Sequence, residues 1–305
     1  MKAHTKRPFA FVHARTTMVR PVLFGSMLLL CVPACKEGDK VPGYVDLSTF
    51  TVQPDPGEGS SSSNIPHAWA YAQDQLLGVW EAGSEIPVLA AGNVQLKLIA
   101  GVERNGSSAD LVQYPFYDTW SSTINLVPGQ RTSVQPAFEY YPDLSFWIAD
   151  FTDIEIPFTF DVESDTDMIH WDAASHPDDV MPGEGSAAAF FLDEDHPRMK
   201  GVVYESADLD GSGNTWLELN YRSDHRMLVG MIYTVGGLTV DEPYVYIAPT
   251  VRSDGGMPWK KIHIDLTPFT NNPITANRKF YIAALLGAGD TNARFWIDNV
   301  KLVRP

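Results

Sequence analysis

The sequence predicts an all-β protein, a small N-terminal β-sandwich followed by a jelly-roll domain. Three observations predict it. Short apolar runs alternate with polar residues from about residue 65 onward. The 23 Gly and 22 Pro punctuate those runs as turns, and aromatic residues make up 11% of the chain, as short strands require. No stretch keeps a long 3.6-residue period, and no repeat of solenoid length is visible.

The chain opens differently. Residues 1–34 carry Lys2, Lys6, Arg7, Arg15 and Arg20 and no acid, and Val22 to Val32 is apolar apart from Gly25 and Ser26. A basic start, an apolar stretch of about 7–15 residues and a small residue before the cut define a secretory signal. The stretch is shorter than the roughly 20 residues a spanning helix needs. Val32-Pro33-Ala34-Cys35 then places a cysteine where a bacterial lipoprotein is cut and acylated. Lipidation of Cys35, with a membrane anchor of fatty-acyl chains such as palmitate, is therefore expected. An ordinary signal with a chance cysteine is the alternative. The expected address is the outer membrane, on its periplasmic or extracellular side. Lys36-Glu37-Gly38-Asp39-Lys40 suits either an export tag for the cell surface or a solvated linker.

Residues 35–64 read as a flexible tether, because Pro54-Asp55-Pro56-Gly57-Glu58-Gly59 and Ser60 to Ser63 offer little to bury. The small sandwich is expected over 65–150. Ala68 to Ala72 and Leu76 to Trp80 form its first hairpin across Gln73-Asp74-Gln75. Pro87 to Leu89, Asn93 to Ala100 and Ser122 to Val127 supply further strands, with turns at Asn105-Gly106 and Pro128-Gly129.

Within that region Ala68-Trp69-Ala70-Tyr71, Leu76-Leu77-Gly78-Val79, Ile86-Pro87-Val88-Leu89, Gly101-Val102-Glu103-Arg104-Asn105-Gly106 and Tyr114-Pro115-Phe116-Tyr117 follow one another in an order that resembles a family of bacterial surface lipoproteins. The resemblance covers most of the mature chain and implies no activity. The chain departs from the family pattern at Ser84-Glu85-Ile86.

The jelly roll is expected over 151–305, without helix. Its strands are Phe158 to Val162, Ala187 to Leu192, Trp216 to Tyr221, Met227 to Tyr233, Tyr244 to Ala248, Lys261 to Leu266, Phe280 to Leu285 and Phe295 to Val303. Trp259 to Thr267 and Phe295 to Leu302 are similar to the closing strands of galactose-binding or carbohydrate-binding-module jelly rolls, which implies the fold and leaves the ligand open.

One strand points to a binding site. By alternation Leu217, Leu219 and Tyr221 face the core, whereas Trp216, Glu218, Asn220 and Arg222 share the other face. An indole beside a carboxylate, an amide and a guanidinium suits a sugar, whose apolar face stacks on the ring while its hydroxyls meet the polar groups. Tyr244 and Tyr246 extend that platform. The alternative is that Trp216 closes a strand end under a loop. The remaining tryptophans (Trp69, Trp80, Trp120, Trp147, Trp171, Trp259 and Trp296) read as core or loop plugs.

Metal chemistry is weakly signalled. Asp208, Asp210, Ser212 and Asn214, with Gly213 at the sixth position of the run, resemble the first half of a calcium loop. The twelfth position holds Leu219, with Glu218 one residue early, so a hairpin turn explains the run equally well. The resemblance to carbohydrate-binding jelly rolls implies a different calcium site, for which Asp161 and Glu163 near the domain start and Asp298 in the last strand are the candidates. No other cofactor is implied.

The acidic run Asp161, Glu163, Asp165 and Asp167 beside His170, Trp171 and Asp172 offers carboxylates without a spacing that sequence can measure. Zinc, nucleophile-elbow, phosphate-loop and dinucleotide motifs are absent, so the chain reads as a non-enzyme. Removing five leader cations from 22 leaves 17 against 38 acids, a formal balance of −21 that repels nucleic acid. With Cys31 in the leader and Cys35 acylated, no cysteine remains for a disulfide. Two roles follow: a surface lipoprotein whose jelly roll binds a glycan or other surface polymer, or an accessory subunit docked on an outer-membrane protein assembly.

Overall fold

The structure, a computed structural model, describes residues 41–204, 207, 209, 211 and 213–305. Cys35 and the leader lie outside them. Ten strands build a first lobe: β1 (Gly43–Leu47), β2 (Thr51–Val52), β3 (His67–Ala72), β4 (Gln75–Glu81), β5 (Glu85–Val88), β6 (Gly92–Glu103), β7 (Leu111–Gln113), β8 (Trp120–Leu126), β9 (Arg131–Val134) and β10 (Ala137–Phe138). A second lobe follows: β11 (Ser145–Ala149), β12 (Phe158–Phe160), β13 (Ile169–Asp172), β14 (Ser186–Asp193), β15 (Arg198–Val203), β16 (Trp216–Ser223), β17 (Met227–Val235), β18 (Leu238–Ile247) and β19 (Lys260–Asp265). The single-turn helix α1 (Thr267–Thr270), β20 (Thr275–Leu285) and β21 (Asn292–Arg304) complete it.

In the first lobe β4-β3-β6-β7 form the main sheet, with β8 also on β6, and β5-β1-β9 form a smaller one. The β3–β4 hairpin closes through Gln73 and Asp74, both at positive φ, as a two-residue turn with the right twist demands. Ala68, Ala70 and Ala72 alternate inward with Val94, Leu96 and Leu98 of β6, and all six are buried.

The expected tether does not survive from residue 41 on. Val45 and Leu47 point into the first core, and β1 pairs with both β5 and β9. Further along, the Lys261 ammonium donates to the Ser62 carbonyl at 2.7 Å, and the Asn64 amide donates to the Lys261 carbonyl at 2.8 Å. Low apolar content forbids a core of one's own but not capture by a neighbouring sheet that offers hydrogen bonds.

The second lobe is the expected jelly roll. One sheet runs β13-β14-β21-β16-β19, with β11 also on β21, and the other runs β12-β15-β20-β17-β18. Phe190, Leu217, Leu219, Phe280, Ile282, Phe295 and Ile297 fill the space between them. The boundary moves, because Ser145 to Ala149 pair with Val300 to Arg304 and so belong to the second lobe. The helical turn at Thr267–Thr270, with Pro268 at its start, is a further departure from the expected all-strand reading.

The two expected domains join into one unit from Val41 to Pro305. Trp216 and Val303 of the second lobe are members of the first lobe's core. The sheet containing β16 and β21 is thus a middle layer, buried on both faces over most of its centre.

Candidate functional site

The face predicted to bind a ligand is covered. Trp216 is 3% exposed and meets the Tyr114 ring edge-on at 5.3 Å. Glu218 is fully buried. Its carboxylate accepts from the Tyr114 hydroxyl at 2.6 Å and the Tyr140 hydroxyl at 2.9 Å, and pairs with the Lys261 ammonium at 2.6 Å. The Lys301 ammonium lies 3.9 Å from it and donates to the Tyr140 oxygen at 3.0 Å. The Asn220 amide donates to the Ser62 hydroxyl at 2.6 Å. Arg222 lies at the margin, donating to the Asp178 carbonyl and the Asp179 carboxylate under the 173–185 loop.

These residues therefore bind the first lobe and two loops to the second, and offer no platform to solvent. Alternation identified the face correctly. It could not say that a third layer covers it.

The electrostatics of this junction follow from burial. Burial opposes the Glu218 charge, but Lys261 and Lys301 outweigh it and hold the carboxyl well below its usual range. His263, whose ring lies 5.0 Å from that of Tyr114, is pushed down to about 3 by burial and stays neutral. Burial also brings Lys301 down to about 8. Asp298, fully enclosed and opposite Asn220 on the neighbouring strand, is pushed up to about 8 by burial and then by Glu184 and Asp150.

Tyr244 and Tyr246 do not share a face. A β-bulge between β17 and β18 sets Val229 opposite Val245 but Gly230 opposite Pro243, leaving Tyr244 as the extra residue. Its ring turns toward Phe269, 4.8 Å between centroids, and its hydroxyl donates to the Asp265 carbonyl at 2.8 Å. Tyr246 faces outward and is 62% exposed. A bulge breaks the period of two that the alternation argument assumes.

Asp208, Asp210 and Ser212 lie outside the described residues, and Asn214 spends its oxygen on the Thr267 hydroxyl at 2.7 Å. Asp161 lies 3.6 Å from the Lys200 ammonium and Glu163 pairs with Arg198, whereas Asp298 is on the other sheet. Among the described residues no group of three or more His, Cys, Asp or Glu is placed to hold a metal ion.

What remains open is the outer face of the β12-β15-β20-β17-β18 sheet. Register places Lys200, Ala283, Leu228 and Tyr246 side by side in one row across four strands. A groove of about 370 Å³ runs over that row, bounded by Glu163, Arg198, Arg226, Asp241 and Leu285. Its floor is tightly fitted. A Cβ on Gly230 would lie 2.1 Å from the Tyr281 ring, so the absent side chain lets that ring lie across β17. The Lys200 ammonium sits 4.5 Å from the Tyr281 centroid and pairs with Asp241. Burial and Asp241 keep the Tyr281 phenol protonated far above its ordinary range.

Apart from Glu163 and Tyr246, these residues were not singled out from sequence. The signal was present in Arg198-Met199-Lys200, where charge alternates with a core residue, and in Tyr281, Ala283 and Leu285, which alternate with Phe280, Ile282 and Ala284. Chemically the groove offers an exposed phenol ring, an apolar strip and ion pairs at its borders. That combination suits a hydroxyl-rich ligand with one apolar face.

No protein-family model matches the chain, and no curated protein does. The resemblance to surface lipoproteins therefore stands on its quoted residues alone. Solved structures similar to part of the chain include the CBM22-2 xylan-binding domain from Paenibacillus barcinonensis, at 9% identity and TM-score 0.37, covering 52% of this chain and 99% of that one. They also include the family 11 carbohydrate-binding module of a Clostridium thermocellum cellulosomal cellulase, at 15% identity, TM-score 0.34, and 52% and 94% coverage. A third is the CBM28 module specific for non-crystalline cellulose, at 15% identity, TM-score 0.33, and 47% and 85% coverage. The all-β jelly roll is evident in the strand order itself, and these partial likenesses decide neither ligand nor role.

Proposed function

We propose that this chain is a non-catalytic binding protein, anchored to the outer membrane by lipid on Cys35, that holds a glycan or other surface polymer on the open face of its jelly roll. The observation that carries the reading is the row Lys200, Ala283, Leu228 and Tyr246, with an exposed tyrosine on a sheet face that no other layer covers among the described residues. Both acids bordering the groove are ion-paired, Glu163 with Arg198 and Asp241 with Lys200, which suits borders that orient a ligand and leaves neither carboxylate free for hydrolysis. Native affinity electrophoresis through gels containing single polysaccharides tests it. Retardation by at least one polymer, lost in Tyr246→Ala, is expected; unaltered migration through the whole panel sinks the reading. The anchor rests on sequence and has its own test: Cys35→Ser should move the protein from the membrane fraction to the soluble one, and a variant that stays with the membrane refutes lipidation there.

The accessory reading has one observation in its favour. On the outer face of the first lobe, Val79, Trp69 and Ile99 form a row across β4, β3 and β6, with Tyr71 and Leu76 in the next row. Val79 and Leu76 are exposed, and the Trp69 ring lies where a Cβ on Gly101 would come within 2.7 Å of it. Solvent-facing sheet positions are ordinarily polar, so such a strip suits a protein partner. Crosslinking in cells should trap an outer-membrane protein whose recovery falls in Val79→Asp; recovery unaffected by Val79→Asp counts against docking through this strip.

A further inference from the structure

Among the described residues, the groove on the open jelly-roll face has more bases than acids at its border, unlike three other surface grooves. It is bordered by Arg198, Lys200 and Arg226 against Glu163 and Asp241. One other groove carries Lys97 with Asp74, and two carry only acids, Asp55, Asp150 and Glu184 in one and Asp118 and Glu139 in the other. The reversal stands out in a chain with 38 acids to 22 bases.

Within the groove the cations are not equivalent. Arg198 is tied to Glu163, and Lys200 to Asp241 with Asp161 behind it at 3.6 Å. Arg226 has no carboxylate partner among the described residues. Its guanidinium lies over the Tyr246 ring, 5.8 Å from the centroid. A sugar ring stacked on Tyr246 takes the place the guanidinium now holds, and the long Arg226 side chain, moved to the ring's edge, can meet a substituent carboxylate, whose two oxygens its planar fork matches.

Building on the binding-face reading, we propose that the glycan is acidic, a uronate-containing polysaccharide whose carboxylate pairs with Arg226 while its ring stacks on Tyr246. The net charge of the protein sharpens the expectation. A chain at −16 repels an anionic polymer as a whole, so binding must come from this one local contact and not from general ion exchange. Because Arg226 supports no ion pair among the described residues, removing its charge leaves the sheet intact.

The test is affinity electrophoresis of the folded chain through gels containing polygalacturonate, its fully methyl-esterified form, or the neutral polymers xylan and laminarin. Polygalacturonate should retard the parent protein, the methyl ester should not, and Arg226→Gln should weaken the retardation about tenfold, as loss of one charge-assisted pair implies. Arg226→Lys should restore part of it. Retardation by a neutral polymer or by the methyl ester but not by polygalacturonate overturns the acidic-ligand inference and leaves the binding face standing. Equal retardation of Arg226→Gln and the parent by polygalacturonate also overturns it. Failure of every polymer to retard the parent overturns both.

Discussion

The two outer faces of the jelly roll carry similar residues in opposite settings. On the β16 face, Trp216, Glu218, Lys261 and Lys301 lie beneath the first lobe, with every charged group enclosed. On the β17 face, Tyr246, Lys200, Asp241 and Arg226 border an open groove. An aromatic ring beside an acid and a base is therefore not by itself a binding site. Whether another layer covers it decides between an internal junction and a ligand platform. The energetic stakes differ as well. Enclosed charges need one another, because each has lost its water. At the rim of a groove the same pairs stay hydrated and contribute little to stability.

The comparison can be broken most forcefully at Glu218. Glu218→Ala leaves the Lys261 and Lys301 ammonium groups enclosed without their counter-ion and should cost roughly 3–5 kcal/mol in urea unfolding. A loss under about 1 kcal/mol would mean that the junction is wetter than its geometry implies. Next, Trp216→Ala removes a ring shared with the first lobe's core and should cost about 3 kcal/mol. It should leave polysaccharide retardation of the folded protein unchanged; a selective loss of retardation would return Trp216 to the ligand site.

A smaller effect is expected from pH. Asp298 has a folded value near 8 against an ordinary 3.8. Below about pH 4 it is protonated in both states and contributes no difference. From there to about pH 8 the unfolded chain ionises while the folded one keeps its proton, so this group's contribution falls as pH rises and then levels off. Asp298→Asn should therefore raise the unfolding temperature more at pH 8 than at pH 5. His263 acts in the opposite sense between about 3 and 6.5, which is why variant and parent must be compared at each pH. An equal gain at both pH values would contradict the assignment. The smallest change in stability belongs to the open face, where Tyr246→Ala should stay within about 0.5 kcal/mol of the parent by urea unfolding. A larger loss would make Tyr246 a packing residue instead of a ligand platform.

Much of the fold was legible because its signals are local. The Gln73-Asp74 turn, the alternating alanines of β3 and the apolar alternation of β20 each declare a strand or turn within a few residues. β15 escaped notice because Arg198 and Lys200 occupy its outer positions, and β11 was assigned to the wrong lobe because its partner strand lies some 150 residues away in sequence. The candidate site was only partly legible. Tyr246 was found, but alternation grouped it with Tyr244, and the bulge that separates them leaves no signature that a period-two reading detects.

By itself, then, the sequence determined the all-β class, the hairpins, the inward set of residues on each strand and the expectation of lipid on Cys35. Each of these is set by side-chain period, turn chemistry or a short contiguous motif. Only the tertiary structure decided that the segment around Ser62 and Asn64 is pinned to a sheet, that Glu218 joins two lobes, and that Tyr246 faces a groove with Arg226. Those outcomes depend on which surfaces meet, and a strand's own alternation is the same whether water or another layer lies against its second face.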